Sequence, residues 1–93
     1  MIKETQKQQI LSHLQPYRPI RVGIFGSYAR NEQRPESDLD ILVRFEKNIN
    51  LLDLIGVEIE LSDLLGVKVD LVTEQSVLPA LRPYIEKDLQ LIL

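Results

Sequence analysis

Two aspartates separated by one residue, Asp38 and Asp40, are the first residues of this 93-residue chain whose spacing suggests chemistry. They begin the run 38–45, where apolar residues recur at every second position, as in a half-buried strand. In such a strand both carboxylates project from one face, with α-carbons roughly 6 to 7 Å apart, so they can converge on one cation. A solvent-facing strand that carries two charges is the simpler interpretation, and the pair by itself favours it.

Asp70 changes that weighing. It lies in the run 67–72, which is apolar on both faces of a predicted strand, where an isolated carboxylate would be costly. If this strand lies beside the run 38–45, three carboxylates meet at one surface of a sheet. Oxygen ligands of this kind suit Mg²⁺, which takes few protein carboxylates and fills its coordination shell with water and substrate phosphates. The aspartates therefore predict a magnesium site.

Gly26 and Ser27 supply the complementary half of a nucleotide site. They follow a predicted strand over 20–25 and precede residues 28–30, which resemble the first turn of a short helix. A glycine at this point lets backbone amides approach a phosphate, and the Ser27 hydroxyl can donate to the same group. Arg30 is placed to neutralise phosphate charge, although an ordinary surface cation fits its spacing equally well.

The order Phe25-Gly26-Ser27, ten intervening residues and Asp38-Leu39-Asp40-Ile41 resembles the signature of the DNA polymerase beta type nucleotidyltransferases. The strings G-S-Y-A-R, S-D-L-D-I-L-V and G-V-K-V-D-L-V are similar to those of the minimal nucleotidyltransferases, and the resemblance covers residues 21–73. Asn31 replaces a glycine common in these proteins, but asparagine tolerates a left-handed backbone, so we expect the turn to be preserved.

This resemblance implies roles for the residues singled out above. Asp38 and Asp40 would hold the Mg²⁺ bound to the triphosphate of ATP. Asp70 would complete a second metal site and help to remove the acceptor proton, while Gly26 and Ser27 would anchor the β- and γ-phosphates. The implied reaction is attack of an acceptor hydroxyl on the α-phosphorus of ATP, with two metal ions about 4 Å apart and pyrophosphate as the leaving group.

The resemblance also implies a partner, because the minimal nucleotidyltransferases are typically antitoxins paired with a HEPN-domain ribonuclease toxin. In such pairs AMP is transferred from ATP to a toxin tyrosine. An antitoxin that acts by binding alone and a small-molecule (antibiotic-type) nucleotidyltransferase are the alternatives. Retention of three aspartates favours catalysis, and the lack of a further acceptor-binding domain argues against the small-molecule enzyme.

The elements that must position these residues form an alternating α/β pattern. We expect residues 1–93 to form a single minimal nucleotidyltransferase domain, with a small mixed sheet and helices mainly on one face. The predicted helices cover 2–15, 50–65 and 76–87, with a further turn at 28–30; the predicted strands cover 20–25, 38–45, 67–72 and 89–93.

The predicted helix 50–65 is apolar over an arc too wide for contact with a sheet alone, and Leu52 and Ile59 extend that arc. Cover by the terminal helices and an interface are equally compatible with this pattern. We expect the helix to contribute to a homodimer or to a toxin interface. Glu58 falls inside the apolar arc, so we expect it to reach solvent at an edge or a cation on another chain.

Composition limits the classes of partner. The net charge of −3 argues against nucleic acid as the main partner, which calls for a basic surface. With 44% apolar and 27% charged residues and only short apolar runs, we expect a globular protein with no membrane span. The beginning of the chain lacks the apolar core of a secretory signal and there is no cysteine, which predicts a cytoplasmic location.

Overall fold

The computed structural model describes residues 2–93, which fold into three α-helices and four strands. In chain order these are α1 (Glu4–Leu14), β1 (Pro19–Phe25), β2 (Leu39–Phe45), α2 (Leu51–Leu65), β3 (Val69–Thr73), α3 (Arg82–Asp88) and β4 (Gln90–Leu91). Short 3-10 segments lie at Gln15–Tyr17, Glu74–Ser76 and Pro79–Leu81. The predicted small α/β fold with a mixed sheet is confirmed.

The strands form one sheet in the order β3-β2-β1-β4. β1 pairs with β2 and β4 in antiparallel fashion, whereas β2 and β3 are parallel. The parallel pair requires a crossover connection, and α2 supplies it. Because β3 stands first in the strand order, it is an edge strand of the sheet. The expectation that Asp70 lies in a strand buried on both faces is wrong, since this aspartate is exposed at the edge.

One face of the sheet carries the main core. α1 and α2 pack there through residues that recur at helical spacing, because an amphipathic helix buries one apolar stripe against a sheet. The fully buried members are Ile10, Leu14, Val22, Leu39, Ile41, Val43, Leu61 and Val69. Within residues 2–93, no helix is both long enough and apolar enough to cross a membrane.

The opposite face of the sheet is covered in part by α3. Leu42 is buried there, outside the main core, in a small cleft that Ile85 also lines. Arg21 on this face donates hydrogen bonds to Glu86 (3.0 and 3.2 Å) and to Glu74 (2.7 Å). These bonds raise the pKa of the Arg21 guanidinium and lower that of Glu86, so α3 is attached to β1 by charge as well as by packing.

Helix α2 begins and ends where its sequence predicts. The Asn50 side chain accepts a hydrogen bond from the Leu52 backbone N–H at 2.7 Å, which satisfies one of the free amides of the first turn. Gly66 follows the last turn with a φ of +73°, a left-handed conformation that favours glycine.

Two local features differ from the sequence expectations. Residues 28–30 do not begin a regular helix; they belong to a series of hydrogen-bonded turns that the Arg30 and Glu32 amides close onto Gly26 and Ser27. Asn31 has a φ of +58°, as predicted for the residue that replaces glycine. Glu58 has a partner that the sequence did not predict: its partly exposed carboxylate forms no ion pair within residues 2–93 and accepts a hydrogen bond from the Leu71 backbone N–H at 2.7 Å.

Candidate active site

Three residues lie in one row across the sheet and define the centre of the site. Phe25 is the register partner of Asp40 across the antiparallel β1–β2 pair. Asp40 is in turn the register partner of Asp70 across the parallel β2–β3 pair. Register partners in neighbouring strands project from the same face, so the structure places the Asp40 and Asp70 side chains side by side.

Asp38 lies just before β2 and is half-exposed. Its carboxylate is 3.8 Å from the Lys68 ammonium group, which precedes β3. Within residues 2–93, no three acidic, histidine or cysteine side chains are already gathered around one metal position. The structure therefore brings Asp40 and Asp70 together and leaves the Asp38 carboxylate in an ion pair beside them.

Burial and like charge act together on Asp40. Desolvation, followed by the negative charges of Asp70 and Asp38, raises the pKa of the Asp40 carboxyl from 3.8 to about 6, against a smaller lowering effect of Arg30. Asp70 and Asp38 thus each lie within electrostatic range of Asp40. Arg30 offsets only part of this effect at Asp40, and the Lys68 ammonium group pairs with Asp38.

Gly26 is the residue that allows the β1 turn to approach Asp40. Its φ of +72° is in the left-handed region, and a β-carbon added there would overlap the Asp40 carboxylate oxygen Oδ2. Any side chain at this position would push the turn away from the aspartate. The turn at 26–31 and the Asp40 carboxylate are therefore direct neighbours, as a site for a metal-bound phosphate requires.

Arg30 and Ser27 lie in the same turn. The Arg30 guanidinium donates to Asp88 Oδ2 at 2.8 Å and lies 3.2 Å from Glu32, and the Asp88 bond is the main cause of its raised pKa. The Ser27 hydroxyl forms no hydrogen bond within residues 2–93 and is available to an external acceptor. The positive charge of Arg30 also acts on Asp40, where it opposes part of the increase in the pKa of that carboxyl.

Two residues at the end of α3 and the start of β4 hold the turn at 26–31 in place. The sequence does not predict these contacts. Asp88 binds Arg30, and Gln90 Nε2 donates to the Ala29 carbonyl oxygen at 2.8 Å. These pairs are separated by 58 and 61 residues along the chain, so no local pattern could have identified them. An open cleft beside the turn is lined by Phe25, Gly26, Arg30, Tyr84, Lys87 and Asp88.

The donor chemistry of the site fits Mg²⁺. Asp40 and Asp70 offer only carboxylate oxygens on one face, which is the ligand type that this ion prefers. The glycine at position 26 leaves space next to the Asp40 carboxylate that a side chain would fill. Asp38 lies beside this pair and is held 3.8 Å from the ammonium group of the exposed Lys68.

Comparisons with known proteins agree with this geometry. A family model described as a nucleotidyltransferase domain matches residues 5–92. A protein of Methanocaldococcus jannaschii, which is assigned by its name to the protein adenylyltransferases, is 44% identical over 89 residues, covering 96% of this chain and 88% of its own length. A solved minimal nucleotidyltransferase is 40% identical, with a TM-score of 0.81 and coverage of 92% of this chain and 88% of that one.

Two further solved structures are similar in fold. A chain from a toxin–antitoxin complex with AMP-PNP has a TM-score of 0.84 at 22% identity, covering 94% of this chain and 72% of that chain. A chain from the complex of a tri-AMPylated Shewanella oneidensis HEPN toxin with its MNT antitoxin has a TM-score of 0.80 at 19% identity, covering 99% of this chain and 72% of that chain. At these identities the likeness concerns the fold alone.

Proposed function

Because this chain belongs to the nucleotidyltransferase domain family, we propose that it transfers AMP from ATP to a hydroxyl group of a partner protein. The observation that carries the proposal is the row formed by the Gly26 turn, Asp40 and Asp70 across three neighbouring strands. A phosphate-binding turn, a metal-binding carboxylate and an acceptor-side carboxylate in this order match the parts of a nucleotidyl transfer. The relative named as a protein adenylyltransferase supports a protein as the acceptor.

Each residue of the proposed site has a separate role in the reaction. The amides of the turn and the Ser27 hydroxyl bind the β- and γ-phosphates, and Arg30 offsets part of their charge. Asp70 lies at the edge strand, where it can accept the proton of an incoming hydroxyl. The hydroxyl oxygen forms a bond to the α-phosphorus, the bond to the bridging oxygen breaks, and pyrophosphate leaves.

Asp38, Asp40 and Asp70 are the residues that would hold magnesium. The ion would neutralise the carboxylates and stabilise the negative charge that develops on the transferring phosphate. The Asp40 and Asp70 side chains project from the same face of the sheet. Asp38 would leave its ion pair with Lys68 and bind the ion instead.

We further propose that the partner is a HEPN-domain toxin and that the acceptor is a toxin tyrosine. The fold neighbour from a complex with a tri-AMPylated HEPN toxin supports this partner class. Asp70 is exposed at the edge of the sheet, where a hydroxyl presented by a partner protein can reach it. The function proposed is thus that of an antitoxin that silences its toxin by modification.

Radiolabelled ATP tests the proposal. The chain is incubated with a HEPN toxin from the same organism and with ATP labelled at the α- or the γ-phosphate, with Mg²⁺ or with a chelator. We expect only the α-label to enter the toxin, only with Mg²⁺, and peptide mapping to find it on tyrosine. Transfer of the γ-label, or toxin neutralisation without any label, contradicts the proposal; the second result would indicate an antitoxin that acts by binding alone.

A further inference from the structure

Four apolar side chains are exposed along one flank of α2. Their exposed fractions are 68% for Leu51, 78% for Leu52, 42% for Ile55 and 57% for Ile59. Leu51, Ile55 and Ile59 are spaced by four residues and form one continuous ridge, which Leu52 widens at its first turn. We call these four residues the α2 stripe. Neither terminal helix covers it, although that was one of the two possibilities left by the sequence.

The α2 stripe lies next to the outer edge of β3. Glu58 Oε2 accepts from the Leu71 N–H at 2.7 Å and Ser62 Oγ accepts from the Val69 N–H at 2.9 Å, and both acceptors border the stripe. These bonds occupy backbone amides that an edge strand would otherwise offer to another chain. A partner at this flank therefore docks by side-chain packing and does not add a strand to the sheet.

Charge restricts the kind of partner. Helix α2 contains four acidic residues and no basic residue. None of the four forms an ion pair within residues 2–93. A second copy of this chain docked stripe to stripe would bring two such acidic sets together, which is unfavourable. A surface with lysine or arginine beside its apolar residues would instead pair with them.

We propose that the α2 stripe is the docking surface for a helix of the partner protein, and that lysine or arginine borders the apolar face of this partner helix. This inference rests on the proposed function. A ridge of side chains at four-residue spacing is the form that packs into the groove of another helix. Helix α2 packs on the face of the sheet that carries Val69 and Leu71, so the stripe lies along the β3 edge and a partner docked there reaches Asp70, on the opposite face, around that edge. The acceptor then enters over β3 while ATP is held at the end of β1.

Binding of a HEPN toxin from the same organism, measured by titration calorimetry, tests this docking surface. The variant Leu52→Glu, Ile59→Glu introduces charge into the stripe at two exposed positions. Its matched control is Ile20→Glu, Leu78→Glu, which changes two apolar residues that are 53% and 67% exposed outside α2. Circular dichroism establishes that both variants are folded. We expect the stripe variant to bind about 100-fold more weakly and the control to bind within about 2-fold of the unchanged protein.

A second pair of substitutions tests the charge argument. Glu60→Lys, Asp63→Lys should slow association about 10-fold at low salt and weaken its dependence on ionic strength. An unchanged affinity of the stripe variant overturns the proposal, as does the absence of toxin binding by the unchanged protein. Sedimentation of the chain alone overturns it in another way, if a homodimer is found that the stripe variant dissolves.

The failure of the proposed function gives a different result. In that case the unchanged protein binds the toxin, the stripe variant binds weakly, and no AMP enters the toxin in the presence of ATP and Mg²⁺. The docking surface then stands and the transfer reaction does not. If AMP transfer proceeds at the same rate in the stripe variant, the reaction stands and the docking surface is wrong.

Discussion

Asp40 and Asp70 are direct register partners on neighbouring parallel strands, so their carboxylates share one face of the sheet. Neighbouring strands are about 4.8 Å apart, a separation at which two negative charges repel in a partly buried setting. Asp38 adds a third negative charge nearby. The arrangement is unfavourable for the metal-free fold and favourable for binding a cation.

Asp40→Asn should stabilise the metal-free protein. Because the folded-state pKa of Asp40 is about 6, above its usual 3.8, the folded state binds this proton more tightly than the unfolded state. The contribution of Asp40 to the free energy of unfolding should therefore fall as pH rises from about 4 to 6 and stay lower above it. We expect Asp40→Asn to gain about 1 kcal/mol at pH 7, after allowance for solvent screening, and nothing at pH 3.5.

Urea denaturation at several pH values with a chelator present measures this difference. Asp63→Asn is the control, since Asp63 is an exposed helix residue without an ion pair in residues 2–93. Equal stability of Asp40→Asn and the unchanged protein at both pH values would show that the carboxylates are not in repulsion.

Ser27→Ala should weaken triphosphate binding more than it affects folding. The Ser27 hydroxyl has no hydrogen-bond partner within residues 2–93, so its loss costs the fold little, whereas a bond to a charged phosphate is worth ~1.5 to 3 kcal/mol. Calorimetric titration with a nonhydrolysable ATP analogue should show a Kd at least about 10-fold higher. Ser12→Ala in the exposed part of α1 is the control. An unchanged affinity would leave Ser27 as a small turn residue only.

Asp88→Ala should raise the KM for ATP more than it lowers kcat, because Asp88 fixes the position of Arg30 and is not one of the three aspartates proposed to hold the metal. An increase of about 5-fold is expected, from the loss of an ordered charge partner. Glu32→Ala is the control: Glu32 also pairs with Arg30, but its side chain is 65% exposed against 20% for Asp88. Equal effects of the two substitutions would contradict a specific role for the Asp88 contact.

Glu58→Ala should lower the free energy of unfolding by about 1 to 3 kcal/mol, because it leaves the Leu71 N–H without its acceptor in a partly buried place. Glu58→Gln keeps an acceptor oxygen and should lose less. Thermal denaturation compares the two. A larger loss for the glutamine variant would mean that Glu58 acts through its charge rather than as a strand-edge acceptor.

Local sequence signals predicted the elements well because their causes are local. The Asn50 cap, the Gly66 stop and the apolar alternation in 38–45 act within a few residues, and the structure has the corresponding helix and strand. The Gly26 turn was predicted from the same kind of signal. Its predicted continuation as a helix at 28–30 is wrong, because the turns at 26–31 give way to a polar loop before a helix can propagate.

Strand order and long-range contacts could not be predicted in this way. Asp70 is exposed because β3 lies at the edge of the sheet, and that position depends on the topology of the whole chain. The helical pattern showed Glu58 on an apolar arc, but it contains no information on the unpaired Leu71 amide that the carboxylate meets. Asp88 and Gln90 act on a turn about sixty residues earlier, so only the folded structure identifies them.

Intact-mass analysis of the toxin shows whether Asp38 and Asp40 form the active site for AMP transfer. The unchanged protein and the variant Asp38→Asn, Asp40→Asn are each incubated with a HEPN toxin from the same organism, ATP and Mg²⁺. We predict that the toxin gains the mass of one or more AMP groups with the unchanged protein and none with the folded variant. The same gain in mass with both proteins would show that these aspartates do not form the active site and would contradict the account.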